Sequence, residues 1–177
     1  MVEGPSVEIR PATDGDWPGI WACFAPIVAA GRTYTIDPAA TAADARELWV
    51  EPPPARVFVA EVVGPGGVIA GSAKLRPNGG GPAAHVANAS FIVDPARAGQ
   101  GIGRALGRYV LAAARAEGYR AMQFNAVVET NANAVALWRS LGFSILATVP
   151  AAYLHPVHGY VGLHVMHRSL LDDPGLG

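Results

Sequence analysis

Asn88-Ala-Ser-Phe-Ile-Val-Asp-Pro-Ala-Arg-Ala-Gly-Gln-Gly-Ile-Gly-Arg-Ala-Leu-Gly107 decides how the rest of the chain is read. Ala89 to Val93 is a short apolar run with β-branched residues and an aromatic, stopped by Asp94-Pro95, and reads as a strand. Gly99, Gly101 and Gly103 alternate in the loop that follows, where the backbone itself is exposed. From Arg104 to Glu117 the chain is rich in Ala, Leu and Arg, a helix-forming composition. A strand, a glycine loop and a helix N-terminus aim backbone N–H groups and a positive dipole end at one spot, which makes a phosphate site.

The charges agree. Between Arg97 and Arg120 there are five arginines and one acid, Glu117, whereas the first 61 residues carry nine acids and four bases. A protein of net charge −1 has put its positive patch beside the glycine loop, which suits an anionic ligand and argues against a general nucleic-acid binder. Two phosphate motifs are excluded. A P-loop needs Gly-Lys-Ser/Thr, and here Gly103 is followed by Arg104-Ala105. The dinucleotide fingerprint fails because Leu106 stands where its third glycine belongs, and Ala121 to Asn125 has no acid to hold a ribose.

A second motif, Asn131-Ala-Asn-Ala-Val-Ala-Leu-Trp-Arg-Ser-Leu-Gly-Phe143, reads N-x-x-A-x-x-L-W-x-x-x-G-F. With Val93-Asp-Pro and Gly99-Gln-Gly-Ile-Gly-Arg104, it resembles the GNAT superfamily of acetyl-CoA-dependent N-acyltransferases, from roughly Val7 to Leu170. Within that family, Phe124-Asn-Ala-Val and Asn131 to Phe143, with Asn88 upstream, are most similar to the fungal acetyltransferases that act on proline analogues.

The chain in order fits a single domain over 7–170 with a short tail at 171–177. Strands are expected at Val7–Arg10, Arg56–Val63, Val68–Leu75, Ala84–Val93, Ala121–Val128, Ser144–Ala151 and Val161–Arg168. Helices are expected over 16–30, from Thr41 to about Trp49, over 103–117 and over 131–141. The fold class is α/β (α+β), a mixed central sheet of about seven strands flanked by about four helices. No run approaches 18 apolar residues, so no membrane span is expected. The beginning lacks the basic-then-apolar pattern of a signal peptide, and the single cysteine, Cys23, falls in an apolar helix stripe as a buried, inert thiol. Both features fit a cytoplasmic protein.

The resemblance implies a sheet splayed between strands four and five, with the pantetheine arm lying in the gap. The backbone of Phe91, Ile92 and Val93 would pair with that arm. The N–H groups of Gly99, Gln100, Gly101, Ile102, Gly103 and Arg104 would hold the pyrophosphate. Asn131 would bond the arm or fix the loop beside it, and Ala134 would let the arm pass. Ala98 stands where the family usually has Arg or Gln; either the neighbouring Arg97 compensates or the glycine backbone suffices. Trp138 stands where many members have a tyrosine that protonates the leaving thiolate; an indole N–H is a donor and not a usable acid. Trp138 is therefore read as packing against the cofactor. Either the thiolate, with a free-thiol pKa of about 8.5, leaves unaided or another group supplies the proton.

Acyl transfer to an amine also needs the amine neutral and aligned. Alternation puts Asn88 and Ser90 on one face of strand four, and Gln123, Asn125 and Val127 on one face of strand five. Asn88 and Asn125 are the candidate catalytic pair, positioning the acceptor nitrogen, with Glu129 as the proton's exit through water. The alternative is that both amides only satisfy sheet bonds broken at the splay. Tyr34, in the loop between the first two helices, is a candidate substrate wall. His155, His158, His164 and His167 form two pairs without a third ligand, so no metal is expected.

The expected activity is transfer of an acetyl group from acetyl-CoA to a small amine, such as an amino acid or proline-like analogue, in a ternary complex. A homodimer is a family-level expectation. Two other readings stay open. One is a polyamine or aminoglycoside acetyltransferase, suggested by the acidic first third. The other is a non-catalytic acyl-CoA-binding sensor, suggested by the absence of an acid and a base.

Overall fold

The computed structural model describes residues 6–64 and 66–171. Almost all of the expected 171–177 tail lies outside these residues, as do residues 1–5.

Seven strands form one sheet in the order β1-β2-β3-β4-β5-β7-β6. They are β1 (Val7–Pro11), β2 (Arg56–Val62), β3 (Val68–Pro77), β4 (Val86–Val93), β5 (Ala121–Val128), β6 (Ser144–His155) and β7 (Gly159–Ser169). Helices α1 (Trp17–Ala30), α2 (Ala42–Trp49), α3 (Ile102–Ala116) and α4 (Ala132–Ser140) cover it. All neighbouring pairs are antiparallel except β4 and β5, which run parallel around the α3 crossover. The seven strands, four helices and parallel β4–β5 pair match the architecture the resemblance implied.

Local chemistry explains the helix ends. Thr13 and Asp16 bond reciprocally ahead of α1, with the Thr13 N–H 2.7 Å from the Asp16 carboxylate. Arg10 closes on the same carboxylate through two bonds of 2.8 Å. Gly31 ends α1 in a left-handed conformation (φ 60°), its N–H donating to Val28 O. Thr41 and Asp44 make a second capping box at α2.

Two apolar clusters lie on opposite faces of the sheet. On one, α1 and α2 pack Ile20, Phe24 and Trp49 against Val59 and Ile92. On the other, α3 and α4 pack Leu106, Val110 and Trp138 against Leu75, Met122, Phe124 and Met166. Consecutive β4 residues serve different faces: Ile92 belongs to the α1/α2 side and Phe91 to the α3/α4 side.

Several boundaries differ from expectation. β4 begins at Val86, because Gly81–Ala83 closes a 3-10 turn and the Ala84 N–H bonds back to Gly81 O. β6 and β7 run further than expected and meet in a tight turn. His155 builds that turn, its Nδ1 accepting from the N–H groups of Val157 (3.1 Å) and His158 (3.2 Å). A buried side chain reaching two residues ahead leaves no mark in hydrophobic periodicity.

Candidate active site

β4 and β5 pair at only two positions, Val86 with Ala121 and Ala87 with Met122, and then part. On its other side β5 stays paired with β7 from Ala121 to Val128, with a register irregularity between Phe124 and Val127. The gap opens into a cavity of about 560 Å³, walled by β4, β5, the α1–α2 loop and α4.

The β3–β4 ladder determines which backbone groups face the gap. The Asn78 N–H donates to Val86 O, and the Asp94 N–H donates to Ala70 O. Even-numbered β4 residues thus bond to β3, and the N–H and C=O groups of Ala87, Ala89, Phe91 and Val93 point at the gap. This corrects one expectation: Ile92 spends its backbone groups on the ladder opposite Ser72 and contributes a buried side chain. Phe91 and Val93 remain as the backbone edge.

The Phe91 carbonyl meets the Tyr34 hydroxyl, which donates to it at 2.5 Å across 57 residues of chain. Burial pushes the Tyr34 phenol above its ordinary pKa, so it is a donor and not a base. Tyr153 of β6 donates to Tyr34 O at 3.2 Å and tethers the loop. Tyr34 thus stands on the cavity wall and caps a strand carbonyl as well.

Beyond Val93 the glycine loop leads to α3. Gly99 (φ 80°) and Gly101 (φ 83°) are left-handed, with nothing within 4 Å of where a Cβ would sit. The Ala105 N–H bonds to Gly101 O, so the N–H groups of Ile102, Gly103 and Arg104 have no acceptor within the helix. The Gln100 N–H turns inward to Arg97 O at 3.3 Å, a departure from the expected donor set. Arg97 pairs with Asp94 at 3.5 Å and so does not simply replace the side chain missing at Ala98. Open left-handed glycines, unfilled helix N–H groups and a two-residue backbone edge together fit a pyrophosphate with an extended arm.

The remaining predicted residues behave differently from one another. Asn131 caps α4, its Oδ1 accepting from the Ala134 N–H at 3.3 Å, and both residues line the cavity. Trp138 is 7 % exposed, with ring centroids 4.7 Å from Phe91 and 4.8 Å from Phe124; it forms the cavity floor as part of the core. Asn88 and Asn125 both line the cavity. Asn88 Nδ2 donates to Gln123 O at 2.9 Å, satisfying a carbonyl that the splay leaves unpaired. Asn125 accepts from Gln123 Nε2 (2.9 Å) and donates to Asn78 Oδ1 (2.7 Å). Glu129 is not brought in: it lies past the end of β5, where its carboxylate accepts from the Gly162 N–H at 2.6 Å.

Arg76 was missed by sequence reasoning and stands on the cavity wall opposite Asn88. The alternating polar residues Ser72, Lys74 and Arg76, in phase with Asn88 and Ser90, were the available signal. Away from the cavity, Cys23 is buried, donates to Ile69 O at 3.3 Å and has its thiol pushed up to about 11 by burial. Among the described residues no group of three His, Cys, Asp or Glu is arranged to hold a metal, and no helix is long and apolar enough to cross a membrane.

Residues 23–143 match the acetyltransferase (GNAT) family, and the chain belongs to that family. It is 53 % identical to a GCN5-related N-acetyltransferase from Kribbella flavida, with a TM-score of 0.87 over 92 % of this chain and 97 % of that one. It is 32 % identical over 106 residues to the N-acetyltransferase aca1 of Schizosaccharomyces pombe; the match spans 58 % of this chain and about half (51 %) of that protein. The same fold, at 21 % identity and a TM-score of 0.79, occurs in a phosphinothricin acetyltransferase of Sinorhizobium meliloti solved with AcCoA, covering 92 % of this chain and 88 % of that one.

Proposed function

We propose that this chain transfers an acetyl group from acetyl-CoA to the amine of a small molecule, with both substrates bound together. The observation that carries the reading is the run from the amides of β4 and β5 along the gap-facing backbone of Phe91 and Val93 to Ala98, all on the cavity wall, with the left-handed glycines and the N-terminus of α3 next in the chain. When bound, acetyl-CoA supplies an acyl group activated on sulfur. The N–H groups of Ile102, Gly103 and Arg104 would hold its phosphate, and those of Phe91 and Val93 would be the donors available to an acyl oxygen as it gains charge.

Asn88 and Asn125 then have unequal roles. Asn88 Nδ2 is committed to Gln123 O, which leaves Oδ1 to accept an acceptor N–H and aim the nitrogen lone pair. Asn125 has both ends engaged and serves as wall. Among the described residues no carboxylate or imidazole lines the cavity, so the ammonium proton leaves through water before attack. The lack of a carboxylate also removes support from a polyamine or aminoglycoside acceptor. Several acids of the first 61 residues are already paired: Asp16 and Glu61 with Arg10, Asp14 with Arg46, and Glu51 with Lys74.

The sensor reading draws on one observation: among the described residues the cavity wall has no carboxylate or imidazole. Thermal melting with acetyl-CoA, coenzyme A, NAD and ATP, followed by thiol release with a panel of amines, separates the readings. Ligand at a hundredfold excess over Kd adds about 2.7 kcal/mol, several degrees for a chain of this size. Turnover of an amine supports the enzyme. Stabilisation by CoA species without thiol release above hydrolysis supports the sensor, and no stabilisation sinks both.

A homodimer and a cytoplasmic location remain proposals. The first is supported by exposed apolar residues on the β6–β7 hairpin, Leu146, Leu154, Val157 and Tyr160, and sedimentation velocity tests it. The single buried thiol supports the second.

A further inference from the structure

Arg76 is the one charged side chain on the cavity wall among the described residues. It follows Lys74 by two positions on β3, so both extend from the sheet face that α1 and α2 cover. Lys74 Nζ donates to Leu48 O at 2.6 Å and pairs closely with the Glu51 carboxylate. The same Glu51 oxygen lies 3.6 Å from Arg76 Nε, near enough for charge attraction and too far for a hydrogen bond. Arg76 Nε is buried without a hydrogen-bond acceptor, and Nη1 bonds only the neighbouring Pro77 O at 3.3 Å. Two cations therefore share one carboxylate. One unit of positive charge is left over at a wall whose other polar side chains are neutral amides and hydroxyls.

Position tells what this charge meets. Arg76 and Asn88 are direct cross-strand partners, so their side chains stand side by side on one face. Asn88 is five residues from Val93, about 16 Å along the strand at 3.3 Å per residue. Arg76 is thus at the far end of the cavity from the glycine loop and out of reach of a pyrophosphate there. Its neighbour is the amide that receives the acceptor nitrogen. A guanidinium offers a planar fork of donors that fits a carboxylate.

We propose that Arg76 binds the carboxylate of the acceptor, so that the acceptor is an amino or imino acid with its carboxylate close to the reacting nitrogen. The inference rests on the acetyltransferase reading and narrows it to a substrate class. A cationic amine without an acidic group meets only repulsion at Arg76.

The test is thiol release by the full chain with acetyl-CoA and matched acceptors: proline against its methyl ester, azetidine-2-carboxylate against azetidine, methionine against its methyl ester, and spermidine. Wild type, Arg76→Gln and Arg76→Lys are compared, each also melted with coenzyme A. Losing a hydrogen-bonded ion pair predicts an acid-over-ester preference in kcat/KM of about 10- to 100-fold in the wild type. In Arg76→Gln that ratio falls to within about threefold, mainly through KM, Arg76→Lys recovers part of it, and the coenzyme A shift stays at the wild-type value. An unchanged ratio in Arg76→Gln, or esters and spermidine used by the wild type as readily as acids, overturns this inference and leaves the acetyltransferase reading standing. No turnover of any acceptor, with the coenzyme A shift intact, overturns both. If Arg76→Gln melts too low to assay, the wild-type ratio decides alone.

Discussion

Substituting Gly101 and Gly103 separately by alanine distinguishes two reasons for a glycine within one turn of α3. Gly101 has φ 83° and open space where a Cβ would sit, so its demand is conformational alone. Forcing an L-residue into this region costs about 1–2 kcal/mol. At about 2–4 °C per kcal/mol for a chain of this length, Gly101→Ala should melt roughly 2–8 °C below wild type. Gly103 has ordinary helical φ, and its Cβ would sit 3.3 Å from Leu137 Cδ2 and 3.6 Å from Val93 Cγ2. There an alanine gains helix propensity, about 1 kcal/mol at most, against a small displacement of one leucine methyl. Gly103→Ala should therefore melt within about 4 °C of wild type, in either direction. The binding effects separate in the same way. A backbone that relaxes away from φ 83° at Gly101 turns N–H groups off the phosphate, and losing one charge-assisted bond of about 1.5–3 kcal/mol weakens coenzyme A binding about 10- to 150-fold. The Gly103 methyl points at Leu137 and Val93, inside the protein, and leaves the donors in line. Scanning calorimetry gives the first quantity and calorimetric titration with coenzyme A the second. A Gly101→Ala protein with wild-type melting and wild-type affinity refutes the reasoning, as does a Gly103→Ala protein that loses more of either.

Asn88→Ala should lower kcat/KM by about 10-fold or more while keeping the coenzyme A melting shift, and Asn125→Ala should cost less than threefold, because only Asn88 has a free acceptor atom; steady-state kinetics with equal losses would contradict this. With no carboxylate or imidazole among the described residues on the wall and the Tyr34 phenol pushed up by burial, kcat/KM should rise with pH until the acceptor amine itself is neutral. A limb near pH 6–7 that is independent of the acceptor used would reveal an unassigned base. Tyr34→Phe keeps the ring contacts to Phe24 and Trp49, removes the bond to Phe91 O, and should destabilise by about 0.5–1.5 kcal/mol in denaturant unfolding; an unchanged midpoint would mean that water replaces the hydroxyl. Arg10 holds the Asp16 carboxyl well below its ordinary pKa of about 3.9, so this contribution is complete above that value and lost as pH falls toward the lowered one. Asp16→Asn should accordingly destabilise at pH 7 and lose most of its effect in strong acid; an equal effect at both pH values would sink the assignment.

Much of the fold was legible because its signals are local. A glycine at φ 83°, a Thr-x-x-Asp capping box and the 3.6- and 2-residue periods act over a few residues, so they survive in one dimension. That is why the strands, all four helices and the glycine turn could be located before any coordinates. Tertiary structure alone decided the rest, because pairing register is set by turns, bulges and packing between distant segments. Strand alternation put Asn88 and Asn125 in equivalent roles, but the shift between Phe124 and Val127 and the Asn78 contact made one available and the other engaged. Glu129 read as a neighbour of the site until β7 took its carboxylate through Gly162. Tyr34 met Phe91 across 57 residues, and Arg76 came to face Asn88 only through the β3–β4 register. The sequence by itself determined the backbone cradle, since left-handed glycines and a helix terminus are intrinsic to their own segment. The tertiary structure decided which polar groups share the cavity wall, since only the packing of distant segments brings a charge its counter-ions and neighbours.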